Sequence, residues 1–394
     1  MKSRNAAQKR FDQTMKSFHC DHCRSVVFFE NHTCASCGTD LAFVPALGRI
    51  AALVPVGDTW RLASPSGKPA RSPAWRKCKN YVEQNICNWA VDADDPNPLC
   101  QCCRLTQTIP NLQQEGNRQA WFKLESAKRR LVYSLFALRL PVLGKTEDGP
   151  RGVAFEFLAD PPPGGESKPV LTGHADGLIT INIAEADDAE RERRRLKLHE
   201  PYRTLLGHLR HEIGHYYWDR LIKDSPRLEG FRRLFGDERQ DYAAALQQHY
   251  DHGAPADWQD HFISVYATSH PWEDWAETWA HYLHISDTLD TADSCGLSLR
   301  PGRKDEPAMA LQAAPDNPAE RPFDQIVERW VSLSYLLNNL NRGLGHADAY
   351  PFVLSAAVID KLRFVHDTIA GTGQAPSRTR LFGRRKPASQ RVAA

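Results

Sequence analysis

Cysteine is almost missing from the back of this 394-residue chain: of ten, only Cys295 lies beyond residue 103. That distribution excludes a disulfide scaffold spread over the whole length. No apolar run approaches the roughly 18 residues a membrane helix needs, which excludes a helical membrane bundle. A charge of one sign is missing too. With 50 Lys and Arg against 48 Asp and Glu the net charge is +2, so bulk charge points to neither nucleic acid nor an anionic membrane. Met1-Lys2-Ser3-Arg4 leads into no apolar stretch, so no secretory signal is read and a cytoplasmic location is expected. The neutral total is an average. Residues 1 to 19 hold five basic and one acidic residue, and residues 376 to 394 hold six basic and none acidic, which leaves an acidic body between basic ends.

The nine clustered cysteines are the positive signal. In a reducing compartment they are better read as metal ligands than as disulfides. Cys20-x2-Cys23 and Cys34-x2-Cys37 are two knuckles, each able to put two thiolates on adjacent corners of a tetrahedron, so together they close a structural zinc site. Iron in a rubredoxin-like site, or a redox dithiol for one isolated pair, is the alternative. Val26-Val27-Phe28-Phe29 reads as a short strand between the knuckles, and residues 18–44 as a zinc ribbon. A second four-thiolate site is expected from Cys78, Cys87, Cys100 and Cys103, with Cys102 spare and Cys295 unassigned. The bland alternative for this set is cysteine as a small core residue.

Elsewhere the pattern is mixed helix and strand. Trp121, Leu124, Ala127, Leu131, Leu135 and Leu138 recur at three- and four-residue steps and predict an amphipathic helix over 117–138. Strands are expected at Ile50 to Val56 and Gly152 to Leu158. Another is expected from Gly177 to Ala184, where Ile179, Ile181 and Ile183 share one face and Leu178, Thr180 and Asn182 the other. Residues 286–322, rich in Asp, Pro, Ala and Arg, read as a surface loop, with helices resuming at Phe323 to Arg342 and Ser355 to about Thr368. The expected division is a basic tail over 1–17, the ribbon over 18–44, a second cysteine-rich segment over 45–115, an α+β domain over 116–370 and a disordered basic tail over 371–394.

His211-Glu212-Ile213-Gly214-His215 carries the chemistry. Leu205, Leu209 and Ile213 set a helical period through it, and Pro226 ends the pattern. On a helix, His211 and His215 project from one face and can bind one zinc ion, while Glu212, about 100° around, can reach a water beside the metal and act as general base. Gly214 costs roughly 1 kcal/mol in mid-helix, which a close approach by a neighbouring strand would explain. Downstream, His270-Pro271-Trp272-Glu273-Asp274-Trp275-Ala276-Glu277 opens a second helix, with Pro271 suited to its first turn and Glu273 favoured at its positive end. This segment resembles the Glu-x-x-Ala-acid segment by which several glutamate-zincin families supply a third metal ligand. The resemblance maps that role onto Glu273. Glu277 and His281, further along the same face, are either fallback ligands or partners of a ligand. A metzincin is excluded, since Trp218 and Leu221 stand where Gly and His would be required. The strand Gly177 to Ala184 is expected at the sheet edge, pairing an extended substrate through Gly177, Leu178, Thr180 and Asn182. The oxyanion donor stays open among Tyr216, Tyr335, Tyr350, Arg342 and His281.

With its ribbon, the run Cys87-Asn88-Trp89 through Cys103, the run His211 to Trp218 and the stretch Trp272 to Leu283, the chain resembles the bacterial zinc-binding metallopeptidases that carry an N-terminal zinc ribbon. The likeness covers roughly residues 18 to 367 and implies a zincin-like catalytic domain. The function expected is a zinc-dependent endopeptidase acting on a protein or peptide, with one catalytic and two structural zinc ions and no membrane partner. The alternative is a zinc-ribbon regulator that binds protein or nucleic acid, its HExxH domain inactive or structural. Nucleic acid ranks lower because the ribbon lacks dense basic and aromatic interleaving.

Overall fold

Hydrogen bonding between neighbouring hairpins makes one sheet of most of the cysteine-rich front. The computed structural model describes residues 17–161, 170–198, 204–300, 302, 311 and 320–373, so nearly all of both basic tails lies outside the described residues. A two-stranded ribbon, β1 (Phe18–His19) and β2 (Val26–Val27), is followed by an antiparallel sheet in chain order: β3 (Asp40–Val44), β4 (Arg49–Val56), β5 (Thr59–Leu62), β6 (Trp75–Lys77) and β7 (Ala90–Asp92). The β3–β4 hairpin spans residue 44, so ribbon and second cysteine segment share backbone pairing there. Side chains tie them as well. Asn88 donates to Phe29 O at 2.5 Å, and Tyr81 donates to Leu41 O at 3.0 Å. β5 escaped the sequence reading because all four of its residues are half-buried, which leaves no alternation to see.

After the short helix α1 (Lys79–Val82), the strand β8 (Thr106–Thr108) leads into α2 (Asn117–Ala137). Trp121, Leu124, Leu131 and Leu135 are buried on α2, as their spacing predicts. Then come α3 (Lys145–Asp148), β9 (Ala154–Leu158), β10 (Gly173–Ala175), β11 (Leu178–Asn182) and α4 (Asp188–Leu198). The second sheet has the order β10-β11-β9-β8. This corrects the substrate-edge expectation. Leu178, Thr180 and Asn182 lie on an interior strand, paired antiparallel to β10 on one side and parallel to β9 on the other. Gly177 is not in a strand. Asp176 and Gly177 both take positive φ, forming the two-residue turn between β10 and β11. A Cβ on Gly177 would lie 2.5 Å from Gly152 O. Ile183 to Ala186 is a 3-10 turn and not the end of the strand.

The helices follow: α5 (Leu205–Leu221), α6 (Leu228–Phe235), α7 (Tyr242–His252), α8 (Trp258–His261), α9 (Pro271–Ser294), α10 (Phe323–Gly343) and α11 (Ala356–Gly373). α9 continues through the first part of the expected 286–322 loop, to Ser294. Ile285, Leu289 and Ala292 keep its buried stripe going, and the acidic residues that suggested a surface are themselves engaged. Asp293 is buried against Arg321 and Arg329, and Asp287 pairs with Arg210 of α5. Residues 303–310 and 312–319 of that expected loop lie outside the described residues. No described helix is long and apolar enough to cross a membrane.

Candidate metal centres

α5 begins at Thr204, whose hydroxyl accepts from Gly207 N at 2.9 Å, and buries His211, Glu212 and His215 along its length. α9 begins at His270, whose ring accepts from Trp272 N, with Pro271 in its first turn and Glu273 just inside. The two helices cross at Gly214. A Cβ there would sit 3.1 Å from Ala276 Cα and 3.2 Å from the Trp279 Cβ, so Gly214 serves helix–helix approach and not the helix–strand approach expected. Trp275 locks the crossing by donating to Gly214 O at 2.9 Å. Lys361 of α11 pins the start of α9 by donating to Asp274 at 2.6 Å and to His261 O at 2.7 Å.

This crossing brings three donor atoms together. His211 Nε2 is 3.1 Å from His215 Nε2 and 2.9 Å from Glu273 Oε2, and His215 Nε2 is 3.5 Å from the same oxygen. A tetrahedron with zinc bonds of about 2.05 Å has edges of about 3.3 Å, so the three separations bracket one face of such a site. Glu273 is 1% exposed. Its Oε1 accepts from the Tyr242 hydroxyl at 2.7 Å, while Oε2 is buried, faces the two imidazoles and makes no well-aligned hydrogen bond among the described residues. Burial alone would raise the Glu273 carboxyl, but the two imidazoles outweigh it and hold its pKa well below the usual range. Burial likewise opposes charge on His211, yet Glu273 and Glu277 push its pKa well above the ordinary value. A cation in the gap would answer the same two carboxylates. The donor set therefore fits zinc.

The expected partners are distributed unequally. Glu277 Oε1 accepts from His211 Nδ1–H at 2.7 Å, and its Oε2 accepts from Ser264 at 2.6 Å. That fixes the His211 tautomer and leaves Nε2 free to face the cluster. Glu277 therefore stands behind His211. His281 is outside the cluster: its Nδ1 meets the Tyr350 hydroxyl at 3.0 Å, and burial lowers its pKa to about 4. Glu212 is 4% exposed with Oε2 unpartnered, and its Oε1 is 3.8 Å from His208 Nε2, too long for a hydrogen bond.

The five oxyanion candidates are engaged elsewhere or exposed. Tyr216 packs on Tyr217, Tyr350 is held by His281, Tyr335 is exposed, and Arg342 is paired with Asp348. Residues given no role in the sequence reading do lie against the three donors. Trp272 lies over His215, ring centroids 3.8 Å apart; the Tyr266 ring lies 5.8 Å from that of His211; and Tyr242 holds Glu273. Burial raises both tyrosine hydroxyls, and the Glu273 carboxylate adds to it. No motif marks these residues. Tyr242 and Tyr266 fall in the long interval between the HExxH motif and Glu273, and only the path of the chain returns them to it.

Both cysteine clusters are assembled as the spacing predicts. In the ribbon, Cys20 and Cys37 sulfurs are 3.7 Å apart and Cys23 and Cys34 sulfurs 3.5 Å. Zinc–sulfur bonds of about 2.3 Å give a tetrahedral edge of about 3.8 Å. Burial pushes the Cys20 thiol up to about 12, whereas the Ser25 hydroxyl and backbone bring Cys23 down to about 6. In the second cluster Cys78, Cys87, Cys100 and Cys103 are all buried, every pair of sulfurs within 4.8 Å. Backbone N–H groups of Trp89, Cys100 and Cys103 donate to the sulfurs of Cys87, Cys78 and Cys100, stabilising negative charge there. Cys102 is buried outside this group and Cys295 is exposed.

Comparison with known proteins agrees with this layout. Residues 117–368 match the family described as "Putative zinc-binding metallo-peptidase", and residues 17–114 match a zinc-ribbon domain family. The chain belongs to this zinc-binding metallopeptidase family. The chain is 44% identical over 357 residues to the uncharacterized protein Rv2568c of Mycobacterium tuberculosis (strain ATCC 25618 / H37Rv), covering 90% of this chain and 95% of that one. The same figures hold for the uncharacterized protein Mb2598c of Mycobacterium bovis. No solved structure matches. The metallopeptidase family thus supplies the class, and the residues above supply the geometry.

Proposed function

We propose that the chain is a zinc-dependent endopeptidase of the zincin type, with His211, His215 and Glu273 as metal ligands and Glu212 as general base. The observation that carries this reading is the convergence of two imidazole Nε2 atoms and a buried carboxylate oxygen at 2.9 to 3.5 Å separations. His211, His215 and Glu273 would hold the zinc ion, whose chemistry when bound would be to polarise the scissile carbonyl and to acidify a water. Glu212 takes the proton from that water at Oε2 and delivers it to the leaving amine. Glu277 and Ser264 hold His211 in the tautomer that keeps its Nε2 lone pair available, and Tyr242 orients Glu273. The substrate strand lies along β10, the sheet edge on this side, in place of β11. Glu212→Gln is expected to keep its zinc by elemental analysis and to lower peptide cleavage roughly 10²- to 10⁴-fold or more. A fully active Glu212→Gln protein would falsify the mechanism.

One observation favours a second reading, in which the chain works through its ribbon as a binding protein. Val26 and Phe28 are 62% and 69% exposed at the ribbon surface. In that reading Phe28→Asp abolishes capture of a partner while leaving cleavage unchanged. Loss of a salt-dependent RNA or DNA shift on removing residues 1–44 would make the partner a nucleic acid.

A further inference from the structure

We infer that His174, on edge strand β10, is a catalytic residue whose Nδ1–H donates to the oxygen of the scissile carbonyl as negative charge develops there. The inference rests on the peptidase reading above. It starts from the hairpin that carries His174. Gly177 N donates to His174 Nε2 at 3.0 Å, so that nitrogen is an acceptor and carries no proton; in the neutral ring the proton must then sit on Nδ1. Gly177 has little freedom to release this bond. Its O accepts from Ala154 N of β9 at 2.8 Å, a Cβ on it would lie 2.5 Å from Gly152 O, and Lys145 caps the turn by donating to Asp176 O. Among the described residues, Nδ1–H is nevertheless buried with no acceptor. A fixed, buried, unpartnered donor calls for an explanation, and a ligand atom that arrives with the substrate provides one.

Position agrees. The His174 ring is nearly parallel to that of His215, 21° between planes and 6.2 Å between centroids, and lies 6.1 Å from the Trp272 ring that covers His215. Among the described residues no strand pairs with the outer side of β10, so a peptide adding there runs its carbonyls past His174. A pre-oriented donor in a water-poor site stabilises an oxyanion without reorganising, which is how such groups accelerate acyl transfer. No covalent bond to His174 forms or breaks, and its proton stays on Nδ1 throughout.

Two isosteres separate this role from a packing role. The amide nitrogen of Asn overlays Nδ1, whereas the amide of Gln overlays Nε2. His174→Asn therefore keeps the donor and loses the bond to Gly177, while His174→Gln keeps the Gly177 bond and loses the donor. On zinc-loaded full-length protein, His174→Ala should lower kcat roughly 10²- to 10³-fold with KM little changed. His174→Asn should recover at least tenfold of that loss and His174→Gln should not. Inhibition by a phosphinic peptide, measured by calorimetry, should weaken in parallel. Zinc content and the visible spectrum of the cobalt-substituted protein should stay as in wild type. Nitrogen NMR of the imidazole should show the Nδ1–H form. Full kcat in His174→Ala, recovery by Gln and not by Asn, a changed cobalt spectrum or an Nε2–H signal would each overturn the inference while the peptidase reading stands. A zinc-loaded wild type that cleaves no peptide and binds no phosphinic peptide would overturn both.

Discussion

The two halves of the molecule use metal-ligand geometry in opposite ways. In the front half, each cluster offers four thiols, enough to fill a tetrahedron, and in the second cluster all four are buried with backbone N–H groups turned onto their sulfurs. In the back half, two imidazoles and one carboxylate offer three donors, and a glutamate with a free oxygen stands beside them. A closed shell braces a fold; an open one leaves a position for chemistry. The difference also appears in what surrounds the ligands. Near the second cysteine cluster, Arg129 of α2 is buried and donates to the carbonyl of Ile86 beside Cys87, while Lys128 is held in a buried ion pair with Glu125 at 2.9 Å. The histidine site is backed by Glu277, Ser264 and Tyr242, which tune and aim individual ligands.

The largest effect should come from opening the closed shell. Cys87→Ser should release one zinc and unfold the front half, because a structural zinc site contributes about 10–16 kcal/mol, as much as a whole domain's stability. Loss of the N-terminal portion's cooperative transition in calorimetry, with one zinc fewer, is the expected result; an unchanged transition would break the contrast. Next, His211→Ala should remove only the third zinc and abolish cleavage while melting stays close to wild type. In wild type, a chelator such as phenanthroline should strip that zinc first and leave the thiolate sites filled. The smallest effect sharpens the comparison from the ligand side. Ser264→Ala frees one oxygen of Glu277, so zinc affinity at the histidine site should weaken about tenfold, the lower end for outer hydrogen-bond partners, with both cysteine sites unaffected. Metal titration with a competing chelator measures it.

Legibility followed chain distance. The knuckles Cys20–Cys23 and Cys34–Cys37, the α2 stripe, the HExxH helix and the Pro271 start of α9 are local patterns, and each appears where the spacing places it. The misses are non-local or ambiguous. β11 alternates as an edge strand with one buried face does, and nothing in that alternation tells that a three-residue neighbour, β10, would take the edge. The Asp176-Gly177 turn signal was present, but it sat inside what read as one strand. The acid-rich stretch after residue 285 looked solvated because its counterions, Arg321 and Arg329, lie some thirty residues away. Gly214 could be read as a close approach, but its partner, Ala276, could not.

By itself, then, the sequence determined which side chains can bind metal and on which helices they sit, because tetrahedral thiolate pairs and i,i+4 histidines are set by backbone geometry within one turn. Only the tertiary structure brought the Glu273 carboxylate to the histidine pair, set Glu277 against His211, and returned Tyr242 and Tyr266 to the same place. Those proximities depend on two helices approaching closely enough at Gly214 and Ala276 for side chains 58 residues apart in the chain, His215 and Glu273, to come within 3.5 Å, an outcome of packing over the whole core that no local spacing encodes.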